Sequence, residues 1–272
     1  MLFGKKNCKH CGSSYDVAED TCPACHQPNE DFDRLGLSRN VVWLPYLKQV
    51  LLFAIGYLGL DLIALLVQLF LGSFFEEPDA TYFTILNTVR YTGIFAVMII
   101  IITPYMKKFL VTFKKLIPYL IGILGAMGLI GFAIIYGNII NLIYPTETSD
   151  NQQIANEMIS AYPILCLLVL GIVGPIVEEI TYRVGVFTFF LRINKWAAYL
   201  VTAVIFAFIH FNFFAGTAEG YINELLNLPS YLFAGLFLCF LYHKFGLASS
   251  VTAHILNNLY SVVMMIILNA IK

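Results

Sequence analysis

Seven apolar runs follow a polar start. After about forty mostly polar residues the chain becomes near-continuous in Leu, Ile, Val, Phe and Tyr over Tyr46–Gly72, Tyr82–Ile102, Leu116–Ile143, Tyr162–Leu191, Trp196–Phe213, Leu228–Tyr242 and Leu247–Ile271. A helix needs about 20 such residues to cross about 30 Å of hydrocarbon. Five runs meet that length, and Trp196–Phe213 and Leu228–Tyr242 are short. Gly171, Gly174 and Pro175 punctuate the fourth run and predict a kink or a split there. The pattern predicts an all-α polytopic membrane protein with about seven transmembrane helices, within a range of six to eight. The polar start also predicts that no cleavable signal peptide is present.

The segments between the runs alternate in charge. Lys107, Lys108, Lys114 and Lys115 follow the second run, Arg192 and Lys195 the fourth, and Lys244 the sixth. The other connections carry Glu76, Glu77, Asp79, Glu147, Asp150, Glu157, Glu219 and Glu224 and no Lys or Arg. Lys5, Lys6, Lys9, Arg34, Arg39 and Lys48 precede or begin the first run. By the positive-inside rule the N-terminus is expected in the cytoplasm and the C-terminus outside, with the terminal Lys272 the one exception to the alternation. Composition agrees with the membrane class: 59% of the 272 residues are hydrophobic and only 12% charged, where soluble domains carry about 25%. The net charge of −1 gives no sign of a nucleic-acid partner.

The polar start holds its own chemistry. Cys8, Cys11, Cys22 and Cys25 form Cys-x2-Cys-x10-Cys-x2-Cys, two pairs that supply four thiolates for structural zinc in a small ribbon. So short a segment buries no core, so the metal has to supply most of its folding energy. A cytoplasmic location favours metal over the alternatives of two disulfides or four free thiols. Four Cys ligands leave no open position, so the role is structural or for docking a cytoplasmic protein partner. His10 and His26 are read as exposed, and Cys166 and Cys239, in apolar runs, as packed small hydrophobes.

Ionisable groups inside membrane runs are costly and are candidate functional groups. Here they are Asp61, Arg90, Glu178, Glu179, Arg183, His210 and His254. Glu179 and Arg183, four apart, share a helix face and form an expected ion pair. Glu178 points about 100° away and stays free for proton chemistry. Phe206 and His210 share a face, so the ring can wall a pocket beside the imidazole. His254 and Asn258 share another, and Asn257 is a rival for the Asn258 role. Each pattern alone also fits helix packing. Asp61 and Arg90 are expected to pair with each other or to line a polar cavity. One tension stands: at 1.5 Å per residue, His254 lies about 10 Å and His210 about 20 Å from the cytoplasmic ends of their runs. A common site then needs tilt, a break or a deep cavity.

Taken together and in order, Glu-Glu-x3-Arg, Phe-x3-His and His-x3-Asn resemble the motifs of the CAAX prenyl protease and bacteriocin-processing family, also called the CPBP or Abi family. The resemblance covers roughly residues 149–260, and Asn151-Gln152-Gln153 is similar to a stretch before the core in Gram-positive members. It implies an all-helical intramembrane endopeptidase of the bacterial cell membrane, acting on membrane-anchored or transmembrane peptides. By motif position, Glu178 and His210 would activate a water, His254 and Asn258 would stabilise the oxyanion, and Glu179 and Arg183 would support the site. Glu178, His210 and His254 also form a possible His2Glu zinc set. The metal-free reading is preferred because His-Glu-x-x-His is absent and the Asn reads better as an oxyanion donor. The implied organisation is a zinc ribbon over 1–27, a polar linker over 28–45, membrane helices over 46–145 and a catalytic core over 146–272. The competing functions are a non-catalytic scaffold or bacteriocin-immunity protein and a proton-coupled transporter.

Overall fold

A computed structural model describes residues 5–30, 32, 36–75, 78–145 and 148–271. Of the charges that set the expected topology, Arg34, Glu76, Glu77, Glu147 and Lys272 lie outside the described residues.

The polar start folds around its cysteines. Lys5–Asn7 (β1) and Ser14–Asp16 (β2) pair antiparallel, with Lys6 opposite Tyr15. Each Cys pair closes a tight knuckle in which the residue after the second Cys turns left-handed: Gly12 at φ 75° and His26 at φ 58°. Their N–H groups donate back to Cys8 O and Cys22 O at 2.9 and 2.8 Å. His10 and His26 are exposed. The four sulfurs lie within 4.8 Å of one another, with Cys8 Sγ 3.6 Å from Cys25 Sγ and Cys11 Sγ 3.7 Å from Cys22 Sγ. A zinc tetrahedron with Zn–S near 2.3 Å has an edge of about 3.8 Å, so this set fits a bound metal. The Ser13 hydroxyl and backbone hold the Cys11 thiol down at about 6, and the backbone N–H of Cys11 lowers Cys8.

Among the described residues, six helices are long and apolar enough to cross a membrane. They are Tyr46–Leu71 (α1), Ala80–Thr112 (α2), Leu116–Ile143 (α3), Pro163–Leu191 (α5), Ala218–Phe245 (α7) and Leu247–Ala270 (α8). Two shorter helices are Asp150–Ala161 (α4) and Lys195–Phe208 (α6). Three differences from the hydropathy reading have plain causes. The fifth run is the 14-residue α6, about 21 Å long, because the chain turns out of helix at Ile209. The sixth run is not short. α7 begins ten residues before Leu228, in turns where Glu219, Asn223, Glu224 and Asn227 mask the helix from a hydropathy window. The fourth run is one unbroken helix despite its Gly and Pro residues.

That continuity comes from two wide, π-helical stretches in α5, Val169–Val173 and Ile180–Phe187. In the first, Gly174 N–H reaches Val169 O. The next donor in that register is Pro175, which has no N–H, so Leu170 O is left without its helical partner. Asn258 Nδ2 takes that carbonyl at 3.1 Å.

The segment between ribbon and α1 lies along one face of the bundle. Asn40 Nδ2 donates to Lys244 O (2.6 Å), Val42 N–H to Tyr242 OH (2.9 Å) and Lys108 Nζ to Trp43 O (2.9 Å). Arg192, at the end of α5, donates to Leu44 O (2.6 Å) and Gln49 Oε1 (3.2 Å) and pairs with Asp16 of β2. The opposite ends meet on the far face, where Tyr136 OH donates to Leu226 O (2.8 Å) and Asp150 N–H to Glu224 Oε1 (2.9 Å). The membrane helices and the short α6 therefore run back and forth, and the chain ends on the face away from the ribbon. The described Lys and Arg of the loops sit on the ribbon face, and Asp79, Asp150, Glu157, Glu219 and Glu224 toward the other.

α5 is the central helix: 56% of its most apolar stretch is buried, against 17–28% for the other five long helices. Small residues let neighbours close on it. A Cβ on Gly56 of α1 would sit 1.9 Å from Thr181 Oγ1, and one on Gly185 3.2 Å from Gln49 O. Asp61 of α1 and Arg90 of α2 form the expected pair, with Arg90 Nη2 3.7 Å from Asp61 Oδ1.

Candidate active site

The middle of α5 places two adjacent carboxylates inside the bundle. Glu178 and Glu179 are both buried, and they face different partners, as their 100° separation requires. Glu179 Oε1 lies 3.2 Å from Arg183 Nη2, one turn on, with both side chains wholly buried. The Arg183 guanidinium also covers the Phe206 ring at 5.0 Å, which adds a cation–π contact where water is scarce. Glu178 instead accepts from Tyr91 OH of α2 at 3.0 Å.

His254 of α8 stands between the two carboxylates. Its Nδ1 is 3.0 Å from Glu179 Oε1 and its Nε2 is 3.7 Å from Glu178 Oε2. A carboxylate only accepts, so the Nδ1 proton is the donor to Glu179 and Nε2 is the atom presented to Glu178.

His210 arrives by another route. Because α6 stops after 14 residues, its end falls inside the molecule and hands His210 to the interior. His210 Nδ1 donates to Phe206 O at 2.8 Å. A carbonyl cannot donate, so Nε2 keeps its lone pair. Phe206 touches both histidines, with ring centroids 5.0 Å from His210 and 5.9 Å from His254.

The two histidines meet despite their different counts from the helix ends, since both contact the Phe206 ring. Leu247 and Val251, in the first turns of α8, belong to one buried cluster with Val41, Val42 and Leu44, and Asn40 donates to Lys244 O at the adjoining end of α7.

A cavity of about 220 Å³ collects these groups. Glu178, Phe206, His210, His254, Asn257 and Asn258 all line it, while Glu179 and Arg183 stand behind it. Asn258 has one amide hydrogen on Leu170 O and accepts from Asn257 Nδ2 at 3.3 Å on its oxygen. Carboxylate, imidazole and carboxamide groups around one cavity can take a proton from a water and stabilise a nearby oxyanion.

Three further residues were not singled out from the sequence. Tyr91 holds Glu178; a tyrosine deep in an apolar run has a hydroxyl that needs a partner, and that was the available signal. Tyr231 stacks on His210, centroids 4.5 Å apart at 15°, and its hydroxyl meets Ser149 Oγ at 3.1 Å. Glu224, which reads as an ordinary loop acid, is buried two turns earlier on α7. It accepts N–H groups from Asp150 (2.9 Å) and Asn212 (3.1 Å). It thereby ties the start of α4, whose Asn151, Gln152 and Met158 line the cavity, to the loop just past His210. Glu224→Ala would leave two N–H groups without their acceptor, at about 1–3 kcal/mol each. Hydrogen–deuterium exchange is expected to quicken in Asp150–Ala161 and in residues 211–217 and to stay unchanged in the ribbon.

Comparison with known proteins gives a family-level match. The family model described as "Type II CAAX prenyl endopeptidase Rce1-like" matches residues 160–260, which hold every residue of the cavity motifs. The UPF0177 protein YvdC of Lactococcus lactis is 30% identical over 190 residues, 69% of each chain. YdiL of Bacillus subtilis, whose name describes it provisionally as a membrane peptidase, is 30% identical over 118 residues, 43% of each chain. No solved structure matches. With its helical membrane bundle and the matched core around the buried Glu-Glu pair, the chain belongs to the Rce1-like CAAX endopeptidase family, the CPBP family of membrane proteases.

Proposed function

We propose that this chain hydrolyses peptide bonds of membrane-anchored or transmembrane substrates, with Glu178 as general base. The observation that carries this reading is the shared cavity, where Glu178 from α5, His210 from just past α6, and His254 and Asn258 from α8 meet. Glu178 takes a proton from the attacking water, and the free Nε2 of His210 assists. His254, carrying protons on both ring nitrogens, donates from Nε2, and the remaining amide hydrogen of Asn258 donates beside it, to the oxyanion that forms on the scissile carbonyl. Glu179, paired with Arg183, accepts the Nδ1 proton of His254 and so turns Nε2 toward the cavity.

A second reading has one observation in its favour. Both histidines are anchored through Nδ1 and present Nε2, the pattern of metal-ligating histidines. Glu178, His210 and His254 would then hold a zinc ion that polarises the carbonyl or water. The metal-free reading is better supported. The Asn258 amide beside the carboxylate and the imidazoles supplies an oxyanion donor that needs no metal.

The ribbon metal is assigned as zinc on its four-thiolate donor set. Metal analysis of the purified protein is expected to find one zinc per chain, lost on combining Cys8→Ser with Cys22→Ser. Two per chain, with one surviving in the Cys variant, would favour the His2Glu reading.

The matched relatives are bacterial proteins, and the basic ribbon face supports an orientation with the N-terminus in the cytoplasm and the C-terminus outside. A cytoplasmic protein is the natural partner of the exposed ribbon. The function is tested by comparing new peptide termini in membranes holding the intact protein or its Glu178→Gln form. Termini that depend on Glu178 support a protease. A phenotype that survives the substitution with no lost termini points to a scaffold or immunity protein, and loss of pH-dependent flux without proteolysis to a transporter.

A further inference from the structure

A second cavity, about 270 Å³, adjoins the first. The two share a wall made by Leu129, Gln152, Tyr231, Ala234, Asn257 and Ser261. The second lies between α3 and α7 toward the far face, and the way α3 packs explains why it is there.

Near the ribbon face, the glycines of α3 are packing residues. A Cβ on Gly122 would come within 2.6 Å of Thr252 Cβ, and one on Gly125 within 2.6 Å of Leu241 Cδ1. Further along, the contacts loosen. Gly128 would meet Phe237 at 3.4 Å, and Gly131 and Gly137 would meet nothing within 4 Å. Gly137 lines the second cavity and leaves room in it. Its lack of a side chain serves no packing contact there.

The wall of this space is flat and held in place. Tyr136 stacks on Phe132 (5.7 Å, 4°), and Phe132 on Phe233 (3.8 Å, 13°). The Tyr136 hydroxyl is tied to Leu226 O at 2.8 Å. Parallel rings suit an apolar partner that lies flat or fills the gap beside them. The shared wall differs, because the Gln152 and Asn257 amides suit a peptide backbone passing from one cavity to the other.

Building on the protease reading, we propose that the second cavity is a specificity subsite. It receives a bulky apolar side chain of the substrate, close in sequence to the peptide bond held at Glu178. The first cavity supplies the reacting groups. A chain crossing the shared wall places a carbonyl in one and a side chain in the other, so side-chain size is read next to the chemistry. Filling such a recess with the right side chain changes recognition by about 10–200-fold per methylene-scale mismatch.

Gly137→Leu is the discriminating variant, since a side chain there projects into open space rather than into a neighbour. The measurement is binding of fluorescent membrane-soluble peptides, each position near the centre varied through Ala, Leu, Phe and Trp, to the Glu178→Gln protein with and without Gly137→Leu. Thermal melting of both forms confirms that each is folded. The expected result is one peptide position at which Leu or Phe binds at least about 10-fold tighter than Ala, with that ratio collapsing toward one in the Gly137→Leu form. An unchanged ratio, or an equal loss for every peptide, overturns the subsite. So does discrimination confined to peptides carrying an S-alkylated cysteine, which would make the cavity a lipid-chain pocket. Binding needs no hydrolysis, so the two readings fail separately. Discrimination without cleavage by the native protein defeats the protease reading alone, and cleavage without discrimination defeats the subsite alone.

Discussion

Glutamine in place of Glu178 is expected to slow peptide hydrolysis by about 10²–10⁴-fold, the usual worth of a positioned general base, with little change in fold. Glutamine keeps the shape of the side chain and retains an oxygen that accepts from Tyr91 OH, now 3.0 Å from the carboxylate. It cannot take a proton from water, and it removes the negative charge 3.7 Å from His254 Nε2. Cleavage rates and thermal melting of the two purified forms in the same lipid vesicles check both halves of this expectation. The neighbouring Glu179→Gln should behave differently. Its carboxylate is spent on Arg183 and His254, so its loss should damage folding as well as rate.

The largest expected effect on stability lies one turn along α5. Arg183→Met is expected to cost about 3–5 kcal/mol, the range for removing one partner of a buried ion pair. The penalty comes less from the lost attraction than from what remains: the Glu179 carboxylate, wholly buried, with its cation gone. The Phe206 ring also loses the guanidinium above it at 5.0 Å, and Phe206 contacts both site histidines. Combining Arg183→Met with Glu179→Gln should restore part of the loss, because the unpaired charge disappears along with its partner. Thermal unfolding in one detergent, with the two single variants and the double, measures this. A double variant no more stable than Arg183→Met would show that the ion pair is not the source of the cost.

The physical basis of each structural feature decides how well it could be read from the chain. The passes across the membrane were legible because burial in lipid and the basic loops report the same alternation independently. The Glu179–Arg183 pair followed from a helical repeat, which is local. The pairing of Asp61 with Arg90 followed from the cost of isolated charge at depth. The extent of α7 was hidden because Glu219 to Asn227 look like a loop to a hydropathy window, although Thr217 caps them as a helix. α5 looked breakable at Pro175 because the carbonyl Pro175 leaves unpaired is satisfied by Asn258, 88 residues away in sequence. Tyr91, Tyr231 and Glu224 were hidden for a related reason. Each acts through a partner distant in sequence, and no local spacing names that partner.

The Asn258 interaction also joins fold and chemistry. The amide that would hold the oxyanion is oriented by a carbonyl that exists unpaired only because α5 widens and then meets a proline. Rigid orientation of such a donor is what makes it effective at the moment charge develops. The π-helical turn, the proline and the asparagine therefore act as one unit, and the double carboxylate follows within a turn of it.

The most direct measurement is a cryo-electron-microscopy structure of the Glu178→Gln protein in lipid nanodiscs with a bound peptide. The expected result places the scissile carbonyl oxygen within hydrogen-bond reach of His254 Nε2 and Asn258 Nδ2, with the substituted side chain and His210 Nε2 flanking a water on the carbonyl carbon. A peptide seated away from this cavity, or a site in which position 178 stands beyond water-bridged reach of both histidines, would contradict it.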